Sequence, residues 1–129
     1  MIVLDASAAL EVLLETPAGL RHAHRIFGRE RHAPHLLDLE FAQALRRLTL
    51  AGELVAARAK WTLDVYSEMA LIRHSHIRLL PRIWELRSSV SAYDAAYVAL
   101  AEALDVPLLT CDARLSRSHG HRAKIELLV

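Results

Sequence analysis

Hydrophobic residues fall along the chain in two patterns, short continuous runs and longer stretches with helical spacing. Residues 1–4 form an apolar run that predicts a buried strand, and residues 106–110 and 125–129 predict two more. Residues 71–77 alternate loosely between apolar and polar side chains and are a further strand candidate. Residues 32–35 fit either a short strand or an extended link.

Stretches of good helix formers separate these runs. Thr16-Pro17 interrupts the first of them, because proline is tolerated in the first turn of a helix and not inside one. Ala51-Gly52 ends another of these helical stretches, because glycine is favoured at the position after a helix. The pattern predicts helices over residues 6–15, 17–28, 36–50, 53–70, 78–88 and 92–104. Strands alternating with helices predict an α/β fold, a short parallel sheet flanked by helices on both faces.

Length and composition fit one globular domain spanning residues 1–129. The chain is 53% hydrophobic and 24% charged, with four Gly and four Pro, which argues against disorder. It contains neither a membrane-spanning apolar run nor the basic start of a signal peptide. The single cysteine, Cys111, cannot form an internal disulfide. We therefore expect a cytoplasmic protein without a membrane partner.

The net charge says little by itself, because sixteen Lys and Arg face fifteen Asp and Glu. Fourteen of the sixteen basic residues are arginine, whose guanidinium binds phosphate through two donors at once. Abundant arginine agrees with nucleic-acid binding, but it is equally explained by genome composition. Both interpretations stay open on composition alone.

Three acids occupy positions where a structural role competes with a functional one. Asp5 and Asp112 each follow a predicted strand, and functional groups of parallel sheets gather beyond the carboxyl ends of the strands. Each could equally cap the helix that follows it. Ser91-Ala-Tyr-Asp94 resembles a capping box with an acid three residues after the cap, and on spacing alone capping is favoured there.

Glu40 is harder to explain as a structural residue. Leu36, Glu40, Ala44 and Leu48 stack along one row of the predicted helix, so the carboxylate points toward the core side. A buried carboxylate either becomes protonated or pairs with a cation, and a buried arginine is the alternative to a metal ion. Asp38 lies on nearly the opposite side and suits the helix N-terminus.

Several carboxylates close together favour one kind of chemistry. They repel one another unless a cation neutralises them, and Mg²⁺ prefers such oxygen ligands. A carboxylate cluster without a nucleophile–histidine pair fits phosphodiester hydrolysis better than acyl transfer. His74 and His76 would share one face of a strand, but no third zinc ligand lies nearby in the sequence. The scattered glycines exclude a phosphate-binding loop.

The sequence resembles the PIN domains, and most closely the VapC-type toxins of bacterial toxin–antitoxin pairs. Four segments carry the resemblance, in order over the whole chain: Ile2-Val-Leu-Asp5-Ala-Ser-Ala, Leu36-Leu-Asp-Leu-Glu40-Phe-Ala-Gln-Ala-Leu-Arg46, Ser91-Ala-Tyr-Asp94-Ala-Ala-Tyr-Val-Ala-Leu-Ala and Leu108-Leu-Thr110-Cys-Asp112-Ala-Arg-Leu. One departure is Cys111, where a small residue such as alanine is more familiar. The resemblance implies a parallel sheet flanked by helices and an Mg²⁺- or Mn²⁺-dependent endoribonuclease.

The resemblance also implies roles for individual residues. Asp5, Glu40, Asp94 and Asp112 become the catalytic acids, with the metal held mainly by Asp5, Asp94 and Asp112. Thr110 and Ser7 supply hydroxyl groups beside them. This implication outweighs the capping interpretation of Asp94.

The resemblance further implies an RNA substrate, a cognate VapB-type antitoxin and a homodimer. The alternatives are a PIN nuclease with a housekeeping role in RNA processing and a catalytically silent PIN-fold binding module. A last feature is an apolar stripe in the helix predicted over residues 53–70. This stripe contains Leu54, Trp61, Val65 and Met69, and it fits either core packing or an antitoxin-binding surface.

Overall fold

Five short parallel strands form one sheet in the order β3-β2-β1-β4-β5. The strands are β1 (Ile2–Leu4), β2 (Arg31–Pro34), β3 (Ile72–His74), β4 (Leu108–Thr110) and β5 (Ile125–Leu127). The computed structural model describes all 129 residues. Because every pairing is parallel, the carboxyl ends of all five strands lie along one edge of the sheet. The predicted α/β fold is confirmed, and the stretch around His32 is a strand.

Seven α-helices connect and cover the strands. They are α1 (Ala6–Leu13), α2 (Pro17–Phe27), α3 (Leu36–Leu50), α4 (Ala56–Glu68), α5 (Leu80–Glu85), α6 (Ala92–Leu104) and α7 (Ala113–Ser116), and a 3-10 turn (Ile77–Leu79) precedes α5. The start of α2 follows the prediction, since Thr16 accepts a hydrogen bond from the Gly19 amide and Pro17 fills the first turn. None of the helices combines the length and hydrophobicity needed to cross a bilayer.

The central strands are buried on both faces. Ile2, Val3 and Leu4 follow one another along β1, and each is fully shielded from solvent. Successive side chains of a strand point to opposite faces, so both faces of the sheet are covered. Helix α6 packs across β1, β2 and β4, while α1 contacts β4 and α3 contacts β2. Phe41 of α3 and Tyr66 of α4 stack with ring centroids 4.2 Å apart, which joins these two helices.

Strands β1 and β4 mark the point where the sheet order reverses. From β1 the chain continues into β2 on one side, and β4 lies on the other side. In open parallel sheets the crevice beyond the carboxyl ends of two such strands is the usual ligand site. The register pairs Leu4 with Leu109, which places the residues that follow both strands next to each other.

The structure corrects the predicted pairing of two histidines. Strand β3 ends at His74, so His76 is not on the same strand face. The partner of His74 is instead His32 on the neighbouring strand β2, with 2.8 Å between His32 Nδ1 and His74 Nε2. The other ring nitrogen of His32 lies 2.7 Å from a carboxylate oxygen of Glu30. The two imidazoles therefore belong to a contact between strands.

The predicted apolar stripe of α4 is divided between core and surface. Tyr66, beside the stripe, is buried against Phe41, and Leu54, Val65 and Met69 pack partly against the core. Trp61 stays 51% exposed and stacks under the guanidinium of Arg58. Core packing therefore accounts for most of the stripe and leaves one large aromatic ring on the surface.

Candidate active site

A cleft of about 690 Å³ opens at the carboxyl edge of the sheet. Its walls come from the ends of β1 and β4 and from helices α3 and α6. The four acids singled out in the sequence, Asp5, Glu40, Asp94 and Asp112, all line this cleft. Residues far apart in the chain therefore meet at the crevice that the sheet topology favours.

Asp5 is the most buried of these acids, with 6% of its surface exposed. Its Oδ1 accepts hydrogen bonds from the amide of Ala8 (2.9 Å) and from the hydroxyl of Ser7 (2.7 Å). Its Oδ2 accepts one from the hydroxyl of Thr110. Asp5 is thus the N-cap of α1 and also faces the cleft. The structure confirms the capping role of Asp5, and its position in the cleft leaves the residue available for the predicted catalytic role.

Two relays connect Asp5 to the backbone that follows β4. The amide of Cys111 donates to Ser7 Oγ at 2.9 Å, and the amide of Asp112 donates to Thr110 Oγ1 at 3.0 Å. Each hydroxyl then donates to one oxygen of Asp5. Thr110 is fully buried, so its hydroxyl positions Asp5 and does not face the cleft. The two hydroxyl groups predicted beside the site therefore fix the orientation of one carboxylate.

The hydrogen bonds leave Asp5 with little remaining capacity. A carboxylate offers about four lone-pair sites, and three donors point at this one. The free site is on Oδ2. The pKa of Asp5 is raised to about 6. Burial is the largest cause and the charge of Asp94 adds to it, whereas the hydrogen bonds from Thr110, Ala8 and Ser7 lower the pKa. A cation near Oδ2 would favour the ionised form of this carboxyl.

Asp112 and Asp94 lie at the N-termini of two helices that both contribute to the lining of the cleft. Asp112 is the N-cap of α7 and accepts hydrogen bonds from the amides of Arg114 (2.8 Å) and Leu115 (3.3 Å). Asp94 lies in the first turn of α6, whose N-cap Ser91 accepts from the Asp94 amide at 3.1 Å. Burial raises the pKa of Asp94, as does the charge of Asp112, while Arg114 opposes the shift.

Glu40 pairs with a tyrosine and not with the buried arginine considered as the alternative. The phenol of Tyr97, on α6, donates to Glu40 Oε1. Burial raises the pKa of Glu40 and so does the charge of Asp94, whereas the bond from Tyr97 lowers it. Burial and the neighbouring Glu40 raise the pKa of Tyr97 above its usual range, so the phenol keeps its proton. It therefore acts as a hydrogen-bond donor throughout the physiological pH range.

These carboxylates fit a hard divalent cation by their chemistry. Three of them have raised pKa values, and for each of the three the charge of another acid in the cleft contributes. A cation bound between them would remove that repulsion. No three Asp, Glu, His or Cys side chains are close enough to bind one ion together. Mg²⁺ suits such a site, because it commonly binds through one or two carboxylates and keeps several waters.

Several residues of the cleft were not identified from the sequence. They are Gln43 and Arg47 on α3, Tyr93 and Tyr97 on α6, and Arg114 on α7. Spacing would have found most of them, since Gln43 and Arg47 follow Glu40 by three and seven residues and therefore share its side of the helix. Tyr97 follows Asp94 by three residues for the same reason. The two arginines place positive charge opposite the acids.

Comparisons with known proteins agree with this architecture. The model of the PIN domain family matches residues 2–119. The chain is 44% identical over 129 residues to Ribonuclease VapC12 of Mycobacterium tuberculosis, covering 99% of both chains. It is 48% identical over 117 residues to Ribonuclease VapC9 of the same organism, covering 90% of this chain and 89% of the relative.

Solved structures share the fold at low sequence identity. The complex VapBC2 from Rickettsia felis, bound to a DNA fragment from its promoter, contains a chain that superposes with a TM-score of 0.70 at 13% identity over all of both chains. VapC20 of Mycobacterium tuberculosis, described as a Sarcin-Ricin loop cleaving toxin, gives a TM-score of 0.65 at 15% identity, over 90% of this chain and 93% of that one. At these identities the likeness establishes the fold alone.

Proposed function

The chain belongs to the PIN-domain family, and from that premise we propose that it is the ribonuclease toxin of a VapBC-type toxin–antitoxin pair. Residues 1–129 act in this proposal as one PIN domain that works in the cytoplasm. Relatives that cover nearly the whole chain are named VapC ribonucleases, which supports both the reaction and the biological role. The reaction is hydrolysis of RNA phosphodiester bonds in the presence of Mg²⁺ or Mn²⁺.

The observation that carries this proposal is the meeting of four carboxylates in one cleft at the carboxyl edge of the sheet. Of Asp94, Asp112 and Asp5, through the free lone pair of its Oδ2, one or two would bind the metal ion directly and the rest through its water ligands, because no three of these side chains are close enough to bind one ion together. The bound ion supplies positive charge that activates a water molecule and stabilises charge on the phosphate. The raised pKa values of Asp5, Glu40 and Asp94 support the presence of such a charge.

The protein's own groups have separate tasks in this mechanism. Ser7 and Thr110 fix the Asp5 carboxylate, so that one lone pair of Oδ2 is presented to the cleft. Tyr97 occupies Glu40 Oε1 and leaves Oε2 to accept a hydrogen bond from a water molecule. Arg47 and Arg114 line the same cleft, where their guanidinium groups would bind the phosphate oxygens of the substrate.

RNA is the substrate class that fits the cleft best. The cleft is open to solvent, and Tyr93, which lines it next to Asp94 in the chain, is 64% exposed. An exposed tyrosine ring offers a stacking surface to an unpaired base. Single-stranded or looped RNA presents both its bases and its backbone, so it can place a phosphate between Asp94 and the arginines.

We also propose two protein partners, a VapB-type antitoxin and a second copy of this chain. Two surface regions support this proposal because they expose large apolar side chains. One contains Leu50, Val55 and Trp61 around α4, and the other contains Ile77 in the turn before α5 and Trp84 on α5. The VapBC2 complex is a precedent for a toxin bound to its antitoxin on this fold.

RNA cleavage by the purified chain tests the proposed function. Wild-type protein should cleave RNA with Mg²⁺ or Mn²⁺ and should lose that activity in EDTA. Asp94→Asn should be inactive under both conditions, which excludes a contaminating nuclease as the source of cleavage. Induced expression should arrest growth, and the product of the neighbouring gene should restore it. Absence of cleavage with either metal, or equal cleavage by Asp94→Asn, would overturn the proposal.

A further inference from the structure

A second cavity of about 580 Å³ adjoins the carboxylate cleft. Asp94 and Arg114 line both cavities, so the two form one continuous surface. The walls of the second cavity, which we call the arginine groove, come from the loop between α5 and α6 and from α7 with the residues after it. They include Arg87, Ser88, Ser89, Ser91, Arg117 and His119.

The two cavities have opposite charge. Four acids and two arginines line the cleft, whereas three arginines and one acid line the arginine groove. Only two of the eleven residues of the groove are hydrophobic, and four are serines. The cleft therefore attracts cations, while the groove attracts anions and offers hydroxyl groups as hydrogen-bond donors. The boundary between the two lies at Asp94 and Arg114.

The groove has charged groups that the protein itself leaves without partners. The side chain of Arg117 is exposed and makes neither an ion pair nor a hydrogen bond within the protein. Arg87 is oriented by its neighbour Trp84, whose ring lies 4.8 Å beneath the guanidinium and whose carbonyl accepts a hydrogen bond at 2.9 Å. The hydrogen bond to the Trp84 carbonyl uses only one of the five N–H donors of Arg87, and the others are free for a ligand.

Polar contacts connect the segments that form the walls of the groove. Arg82 donates to both oxygens of Glu102 (2.8 and 3.0 Å) and also to the carbonyl of Gly120 (3.3 Å). Gly120 has a positive φ of 88°, and a Cβ at this position would lie 2.7 Å from Ser89 Oγ. The segment after α7 therefore packs closely against the loop after α5, and the groove between them is preformed.

We propose that the arginine groove binds the backbone of the RNA strand on one side of the bond that is cleaved. This inference rests on the proposed ribonuclease function. The reacting phosphate lies at the boundary, between Asp94 and Arg114, and the strand continues into the groove. There Arg87 and Arg117 bind the next phosphates, and the serine hydroxyls reach ribose or phosphate oxygens. The groove reads the backbone, so it adds affinity without selecting particular bases.

Binding of a labelled single-stranded oligoribonucleotide, measured in EDTA at several salt concentrations, tests this inference. Arg117→Gln should raise the Kd several-fold at low salt. It should also reduce the slope of log Kd against log salt by about 0.7, the value for one phosphate contact on a single strand. Arg21→Gln is the matched control, because Arg21 is an exposed arginine of α2 that lines neither cavity. It should leave the slope unchanged.

A second measurement uses an RNA that the wild-type protein cleaves at one mapped bond. Lengthening this RNA by single nucleotides on one side of the bond should lower the KM through contacts with the groove. Arg117→Gln should abolish that gain while kcat stays within about twofold of wild type. Equal slopes for Arg117→Gln and Arg21→Gln, with RNA still cleaved, would overturn the inference alone. No cleavage by wild-type protein with Mg²⁺ or Mn²⁺ would overturn the proposed function as well.

Discussion

The phenol of Tyr97 donates a hydrogen bond to Glu40 and so joins α6 to α3 beside the candidate active site. Tyr97 is three residues beyond Asp94, one turn along the same helix. Helix α6 therefore contributes one carboxylate directly and orients a second one through its tyrosine. A displacement of α6 would change both carboxylates together.

Tyr97→Phe should separate the orienting role from simple packing, because the buried ring remains and only the hydroxyl is lost. The bond from Tyr97 lowers the pKa of Glu40, so its removal should raise that pKa further. We expect the acidic limb of the pH profile of kcat/KM to move to higher pH, and the free energy of unfolding to fall by roughly 1–2 kcal/mol. A reduced activity with an unshifted pH profile would contradict the orienting role.

Neutralising Asp94 should remove the response to metal without unfolding the protein. In EDTA, Asp94→Asn should be as stable as wild type or more stable by up to about 1 kcal/mol, because the repulsion from Asp112 is lost. Mg²⁺ or Mn²⁺ should raise the Tm of wild type and raise that of the variant much less. Thermal unfolding with and without metal measures both effects.

Asp105→Asn is the matched control for the removal of one carboxylate. Asp105 caps the end of α6 with a φ of 53°, a conformation that asparagine tolerates well, and it lies outside the cleft. It should keep wild-type cleavage and the full Tm shift with metal. Equal Tm shifts for wild type and Asp94→Asn would mean that the metal binds elsewhere.

The pKa of Asp5 predicts how the stability of the metal-free protein depends on pH. Burial raises this pKa from 3.8 to about 6, so between these values the folded protein binds a proton that the unfolded chain has released. The contribution of Asp5 to stability is therefore largest below about pH 4, and it declines as the pH rises to about 6. The total decline is on the order of 3 kcal/mol.

Comparison with Asp5→Asn isolates this effect from other carboxyl groups. Asp38 and Glu102 have lowered pKa values because of Arg73 and Arg82, and their contributions increase with pH instead. Urea denaturation in EDTA from pH 4 to pH 7 should show wild type losing stability relative to Asp5→Asn as the pH rises. Parallel curves would contradict the raised pKa.

The proposed homodimer can be tested on the exposed apolar residues beside α5. Ile77 is 65% exposed there, and Val55 is 72% exposed near the start of α4. Light scattering of the purified chain at micromolar concentrations should give the mass of a dimer, and Ile77→Asp should give a monomer. Val55→Asp is the control and should remain dimeric. A monomeric wild type at every concentration would contradict the prediction.

The antitoxin should compete with the metal for the carboxylate cleft. An inhibitory segment that inserts an arginine or lysine between Asp5, Asp94 and Asp112 would replace the charge of the ion. Titration calorimetry with the product of the neighbouring gene should therefore give weaker binding in excess Mg²⁺ than in EDTA. Equal affinities would mean that the antitoxin does not reach the cleft.

The sequence predicted the elements whose signals are local. The bounds of α3 and α6 were correct, because a glycine after one helix and Ser91 before the other mark their ends. The proximity of Asp5 and Asp112 also followed, since they lie one and two residues beyond the ends of strands in one parallel sheet. The helix predicted over residues 53–70 is shorter at both ends in the structure, where α4 spans Ala56–Glu68. At its start the chain turns at Gly52, which has a positive φ.

Contacts between distant segments could not be predicted in the same way. Glu40 and Tyr97 are separated by 57 residues, and their contact depends on how α3 and α6 pack on the sheet. The contact of His32 with His74 needs the register of β2 against β3, which no local pattern in these short strands specifies. The arginine groove depends on contacts between two segments more than twenty residues apart in the chain, residues 87–91 and 114–119.

The hydrogen bond between Thr110 and Asp5 joins residues 105 positions apart in the chain. During translation Asp5 is made before Glu40, Asp94 and Asp112, and β4 follows Asp5 by more than a hundred residues. A growing chain therefore carries only some of the acids of the candidate site until Asp112 has been made. Until β4 has joined the sheet, the ribosome and the messenger RNA that produce this protein face an incomplete candidate site.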